Sequence, residues 1–227
     1  MLGGESDIEY KVRDLLENPN PTAAIYCKTG ECEIRITARA QNDTGAQTMC
    51  RAYAKKFYDL LGDAVYDEDV AGLEETVVHT LQEKGLTIAT AESCTGGNIA
   101  HRMTMIPGVS EVLRGGVVAY DNDVKHRVLG VSEETLAAFG AVSEPVASQM
   151  AEGVRRALGA DVAVSTSGIA GPGGGSEAKP VGTVCMAVST PRGTEAVTVH
   201  LPGDRARVID RATTTAIIRL IRTLQRF

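Results

Sequence analysis

From Leu73 to the last residue, runs with helical spacing alternate with short apolar or β-branched runs, and glycine or proline marks most of the changes. This alternation leaves few architectures open. Helices that follow strands one by one must pack on the faces of a shared sheet, which predicts a three-layer α/β domain. The spacing predicts a helix over 73–84 that stops at Gly85, a strand over 86–90 that leads to Ser93, and a helix from 98 to about 104. A strand over 115–120 and helices over 122–129, 135–139 and 144–158 follow. Then come a strand over 161–166, paired strands over 181–189 and 196–201, and a closing helix over 205–224. Only 4% of residues are aromatic and none is Trp, so aliphatic side chains and alanine must fill the core.

Residues 1–72 read differently. Ser6 to Leu16 forms an amphipathic pattern with Ser6 or Asp7 as its cap, and Asn18-Pro19-Asn20-Pro21 breaks it. Ala23–Lys28 and Glu33–Ala40 flank Thr29-Gly30-Glu31, a hairpin signal. A helix over 43–61 follows, and Val65-Tyr66 begins a last strand. The order predicts a small α+β module over 1–70, a linker at 67–72, and a second domain over 73–227.

The formal net charge of −6 argues against nonspecific nucleic-acid binding, which needs a basic surface. Five cysteines without a CxxC pair suggest neither a disulfide framework nor a zinc knuckle, and are read as reduced thiols of a cytoplasmic protein. The N-terminus lacks the basic and apolar regions of a signal peptide, and no apolar run reaches membrane-spanning length. His79, His101, His126 and His200 do not stand at metal-ligand spacing, so no metal site is expected.

Four stretches carry chemistry. In Thr90-Ala91-Glu92-Ser93-Cys94-Thr95-Gly96-Gly97, a serine lies between a strand and a helix. N–H groups at a helix start are unpaired and can hold developing negative charge, so this is a place for a nucleophile. The plain alternative is that Ser93 or Thr95 caps the helix. Lys125 falls in the first turn of a helix capped by Asp121 or Asn122. The helix dipole there, and burial, both disfavour an ammonium, which suits a base. The alternative is a solvated surface lysine.

The third stretch, Ser167 to Thr183, is rich in glycine and follows a strand, where ligands of open α/β sheets bind. It lacks the Gly-Lys-Ser/Thr of a Walker A loop, and the alternative is a surface loop. The fourth is Pro202-Gly203-Asp204-Arg205-Ala206-Arg207. Here Asp204 can cap the last helix, and an arginine can clamp an anion. A Ser-His-Asp triad has no GxSxG turn to support it.

Ala91–Gly97, Gly115–Tyr120, Gly140–Glu144, Ser167–Pro172 and Lys179–Val184, taken in order, resemble the CinA C-terminal family, the nicotinamide-nucleotide amidases. The resemblance runs from about Leu73 to the end. It implies a three-layer α/β/α amidase domain that hydrolyses the carboxamide of nicotinamide mononucleotide to nicotinate mononucleotide and ammonia, in pyridine nucleotide recycling and without a cofactor. It further implies Ser93 as nucleophile, Lys125 as general base and Tyr120 as a supporting hydrogen-bond donor. Thr95, Gly96, Ser167, Gly168, Gly171 and Arg205 would meet the substrate, with Arg207 a weaker candidate. Position 167 is often Thr in such proteins. Self-association is also implied.

Residues 3–70 resemble the KH-like module of longer CinA proteins, beginning at Gly4-Glu5-Ser6-Asp7. The further N-terminal domain of those proteins, with its ADP-ribose pyrophosphatase activity, has no counterpart in these residues. The module has no GxxG loop to clamp a nucleic acid. Three rival readings stand beside the amidase: a silent nucleotide-binding or assembly module, a nucleic-acid protein working through residues 1–72, and an amidase with Cys94 as the nucleophile.

Overall fold

The computed structural model describes residues 5–28 and 30–227, the side chains of Glu5 and Ser6 excepted. The N-terminal residues 1–4, the Ser6 side chain and Thr29 of the expected turn lie outside what is described. The chain divides into two compact units between Asp69 and Val70.

The first unit contains α1 (Glu5–Leu16), β1 (Thr22–Lys28), β2 (Glu31–Thr37) and α2 (Asp43–Leu61). The helix α1 starts at Glu5, so Asp7 lies inside it rather than at its cap. The strands pair antiparallel as a two-stranded hairpin, with Ile25 opposite Ile34 and Cys27 opposite Cys32. Such a ribbon is not stable alone. Its alternate residues pack with Ile8, Val12, Tyr53 and Phe57 of the helices. The Tyr53 hydroxyl donates to the Leu15 carbonyl at 2.6 Å and fastens α2 to α1. The strand expected at Val65-Tyr66 does not form. The Val65 N–H closes a turn on the Gly62 carbonyl at 3.0 Å, and the Tyr66 hydroxyl bonds the Glu31 carboxylate.

The second unit contains α3 (Leu73–Lys84), β3 (Ile88–Glu92), α4 (Asn98–Thr104), β4 (Leu113–Val118), α5 (Asn122–Leu129), α6 (Glu133–Phe139) and α7 (Glu144–Ala157). It continues with β5 (Val162–Gly168), β6 (Thr183–Thr190), β7 (Gly193–His200) and α8 (Arg205–Arg226). Its five strands lie in the order β4-β3-β5-β6-β7. The strand β3 runs parallel to β4 and β5, β6 runs antiparallel to β5, and β7 runs antiparallel to β6 and so in the direction of β3. The helix α7 covers β3, β5, β6 and β7, while α8 packs on β5 and β6 and α4 on β3 and β4. This gives three layers. Ala89 and Ala91 sit under α7 with Met150 and Val154 in a core of aliphatic residues, where small strand side chains let the helix approach.

The strand order positions the site. From β3 the chain moves to β4 on one side, then returns to β5 on the other. The order therefore reverses at β3, and ligands of open α/β sheets bind beyond the carboxyl ends of strands at such a point. Ser93, Tyr120 and the 169–182 loop all leave the sheet at this edge. The end of β7 lies there too, since His200 pairs with Thr183, and so brings the start of α8 to the same edge.

Helix α5 carries Lys125 and is seated by one close approach. A Cβ at Gly153 of α7 would lie 1.8 Å from the Leu129 carbonyl oxygen at the end of α5. Backbone cannot give way as a flexible side chain does. Gly153→Ala is therefore expected to destabilise the protein by about 3 kcal/mol, read as a lower urea midpoint. An unchanged midpoint would contradict this packing.

Candidate active site

The strand β3 ends one residue before Ser93, whose N–H donates to the Thr166 carbonyl at 2.9 Å and so extends the strand pairing with β5. The chain then turns through Gly96 and Gly97 at φ of +64° and +96°, a region that favours glycine. Ser93 is 8% exposed.

Neither Ser93 nor Thr95 caps α4. The cap position is Gly97, and the work falls to Glu92, the buried last residue of β3. Its Oε2 accepts from the Thr95 hydroxyl at 2.7 Å and from the N–H groups of Gly97 and Ile99 at 3.0 Å each. Its Oε1 accepts from the Ala100 N–H at 2.9 Å. Burying a lone carboxylate costs several kcal/mol. Four hydrogen bonds to a charged acceptor, at about 1.5–3 kcal/mol each, together with the helix dipole, offset that.

This arrangement corrects the expected anion hole. The Gly96 N–H is committed to the Ser93 carbonyl at 3.1 Å. The Thr95 hydroxyl, donating to Glu92, accepts from Thr166 at 2.7 Å. Among the described residues, no other residue accepts a hydrogen bond from the N–H groups of Cys94 and Thr95 in this turn.

Lys125 is 1% exposed. Asp121 caps α5 through its side chain, which accepts from the Asp123 N–H at 2.8 Å. The Lys125 Nζ donates to the Tyr120 carbonyl at 3.0 Å. Burial lowers its pKa from the ordinary lysine value, opposed first by the Asp121 carboxylate and then, where its thiol is ionised, by Cys94. The surface-lysine alternative is thus excluded. Among the described residues, no hydrogen bond joins this amine to the Ser93 hydroxyl.

Cys94 packs beneath the turn. Burial pushes its thiol up to about 12, which leaves about one molecule in 10⁵ ionised near pH 7 and argues against the cysteine as nucleophile. Gly168 is shaped by that packing, because a Cβ there would lie 3.0 Å from the Cys94 Sγ and 2.8 Å from Val184.

The remaining expected residues are placed unevenly. Tyr120 meets Lys125 through its carbonyl, while its hydroxyl accepts from Arg205 Nη2 at 2.9 Å. Among the described residues, no hydrogen bond joins that hydroxyl to Ser93 or to the Lys125 amine. Arg205 Nη1 donates to the Gly171 carbonyl at 2.8 Å, so this arginine bridges Tyr120 and the glycine-rich loop. Among the described residues it has no carboxylate partner. Arg207 turns outward beside Asp204, at 3.7 Å. The Ser167 hydroxyl donates to the Ala141 carbonyl at 2.7 Å and is spent on that contact. At Gly171, with φ of +82°, a Cβ would strike Val181 at 2.6 Å. Pro172 to Ala178 is exposed, and among the described residues no hydrogen bond claims the N–H groups of Gly173, Gly174 and Gly175.

Two residues escape the sequence reading. One is Glu92, whose capping reaches five to eight residues ahead rather than the two or three of a local cap. The other is Lys179, whose Nζ donates to the carbonyls of Phe139 and Val142 at 2.7 Å each and ties the loop to the start of α7. A cavity of about 310 Å³ lies elsewhere, between β6–β7 and α8 beside Met186, Val197 and Arg219. Among the described residues, no helix is long and apolar enough to cross a membrane.

The fold and this edge define a three-layer α/β domain with a serine turn and a buried lysine at its strand ends. The sequence matches the CinA C-terminal domain over residues 70–224 and the KH domain of damage-inducible protein CinA over residues 3–66. The chain belongs to the CinA family.

A CinA-like protein of Dictyoglomus turgidum is 47% identical over 206 residues, 90% of this chain and 50% of the relative. Another, from Gloeothece citriformis, is 46% identical over 84% of this chain and 46% of its own length. The chain thus spans about half the length of the curated relatives it matches. Among solved structures, the competence/damage inducible protein CihA of Agrobacterium tumefaciens is 42% identical with a TM-score of 0.64, covering 67% of this chain and 93% of that one. A CinA superfamily protein from Klebsiella pneumoniae has a TM-score of 0.66 at 35% identity, covering 68% and 97%.

Glu92→Gln places an NH₂ group against donors that need an acceptor. It is expected to lower the unfolding free energy by about 2–3 kcal/mol, measured by urea denaturation. Wild-type stability would show that the carboxylate does not hold the turn.

Proposed function

We propose that the chain is an amidase that hydrolyses the carboxamide of nicotinamide mononucleotide to nicotinate mononucleotide and ammonia, with Ser93 as nucleophile and Lys125 as base. The observation that carries this reading is the burial of Lys125 at the strand edge that bears Ser93. An amine held there on a neutral carbonyl, with a lowered pKa, is suited to take a proton near neutral pH.

In the proposed reaction the Lys125 amine swings from the Tyr120 carbonyl to the Ser93 hydroxyl and accepts its proton. The Ser93 oxygen attacks the amide carbonyl carbon. The N–H groups of Cys94 and Thr95 receive the developing oxyanion, an effect worth roughly 3–4 kcal/mol per donor. Lys125 returns the proton to the leaving nitrogen, and ammonia departs. Water, activated by the same amine, then cleaves the acyl-serine ester. Arg205, with no carboxylate of its own, and the unclaimed N–H groups of Gly173–Gly175 suit the substrate phosphate.

A silent nucleotide-binding module is the competing reading, favoured by the missing hydrogen bond between Ser93 and Lys125. Ammonia release from nicotinamide mononucleotide, nicotinamide riboside and free nicotinamide, measured in parallel, separates the two. Release from the mononucleotide above all, lost in Ser93→Ala with nucleotide binding kept, is expected of the amidase. Binding without release supports the silent module.

The lysine makes two further predictions. Its amine works only when uncharged, so kcat/KM is expected to rise with pH through a pKa below the ordinary lysine value of about 10.4. Between the two values the unfolded state binds more protons than the folded one, so burial of Lys125 destabilises the protein at neutral pH, and this penalty fades as pH rises. Lys125→Met is expected to abolish ammonia release yet raise the thermal midpoint at pH 7, with the gain vanishing above the ordinary lysine value. A lowered midpoint at pH 7 would contradict the desolvation account.

A further inference from the structure

We propose that Cys27 and Cys32 form an oxidation site, a dithiol that closes to an intramolecular disulfide when a hydroperoxide reacts with it. The two residues stand five apart in sequence across the hairpin turn, and the β1–β2 register sets them directly opposite each other. Opposed residues in an antiparallel pair have Cα atoms about 4.5–5.5 Å apart, inside the span a disulfide bridges. Both side chains lie on the same face of the ribbon, and their sulfurs are 3.2 Å apart in the reduced state. Closing the bond therefore asks for a shift of about 1.2 Å between sulfurs, within reach of χ1 adjustments and without a change of register.

The two thiols differ in a way that orders the chemistry. Cys27 is exposed and Cys32 is 3% exposed. A hydroperoxide reaches Cys27 first, and its O–O bond breaks as the sulfur is oxidised to a sulfenic acid, releasing an alcohol or water. The Cys32 sulfur, already in contact, then attacks the Cys27 sulfur. The S–O bond breaks, an S–S bond forms and water leaves. Two thiols lose two protons and two electrons, and the peroxide takes them up. The other three cysteines lack this geometry: Cys94 and Cys185 are buried in the second unit, and Cys50 lies on α2, its Sγ 3.9 Å from the Ile36 carbonyl.

The test uses the full chain treated with hydrogen peroxide, followed by alkylation under denaturing conditions and peptide mass mapping. The expected result is one intrachain cross-link between Cys27 and Cys32, two hydrogens lighter than the dithiol and reversed by a dithiol reductant. Cys32→Ser is expected to stop the reaction at a Cys27 sulfenic acid that dimedone traps. Alkylation of both cysteines after peroxide, conversion of Cys27 to a sulfinic acid in the wild type, or cross-links only between chains would each overturn the proposal. The wild-type result decides the matter even if the variant fails to fold, and it is independent of ammonia release.

Discussion

Removal of the Lys125 ammonium from water is the constraint on which the rest of the site depends. A lysine in solvent at this position would be a charged surface group with no use for a serine hydroxyl. Buried as it is, it is instead a group for which carrying a proton is less favourable than in water. Among the described residues its hydrogen-bond acceptor is a neutral carbonyl, so the interior does not restore the lost hydration in full. Asp121 and Cys94 work the other way, yet burial is the larger effect. The fold thus makes the Lys125 ammonium a stronger acid than it would be in water, and leaves more of the amine uncharged near neutral pH than an ordinary lysine has.

The serine turn is held by a different device. Glu92 ends the central strand inside the protein and fills the N-terminus of α4 with its own carboxylate. A helix start is a ready anion site, and here the chain itself occupies it. Any oxyanion must then be met by the turn before the helix, and any phosphate by a different element. Arg205 and the exposed amides of the glycine-rich loop stand at the same sheet edge. Lys179 and Ser167 brace the loop and its neighbour instead of offering themselves to a ligand.

Much of this architecture was legible because punctuation is local. Asn42 and Gly62 bound α2, and Asp121 and Gly130 bound α5, so the predicted helices 43–61 and 122–129 coincide with those observed. Alternation gave the layered fold, and five motif stretches taken in order, from Ala91–Gly97 to Lys179–Val184, gave its family. What was not legible is non-local. The Val65-Tyr66 pair has strand composition, but a turn takes its N–H and a carboxylate takes its hydroxyl. The direction in which Tyr120 points depends on Arg205, 85 residues away. Thr95 and Gly96 looked available until Glu92 and the Ser93 carbonyl claimed them. The hairpin and the two cysteines were each visible in the sequence, whereas their opposition follows only from the register.

The most direct measurement is a titration of the Lys125 side chain itself, by NMR of lysines labelled at Cε and Nζ, with Lys125→Met to assign the signal. The account requires a midpoint clearly below that of the other lysines. A midpoint shared with the exposed lysines would mean that this amine is charged at neutral pH, and the pairing of serine nucleophile and lysine base would fall with it.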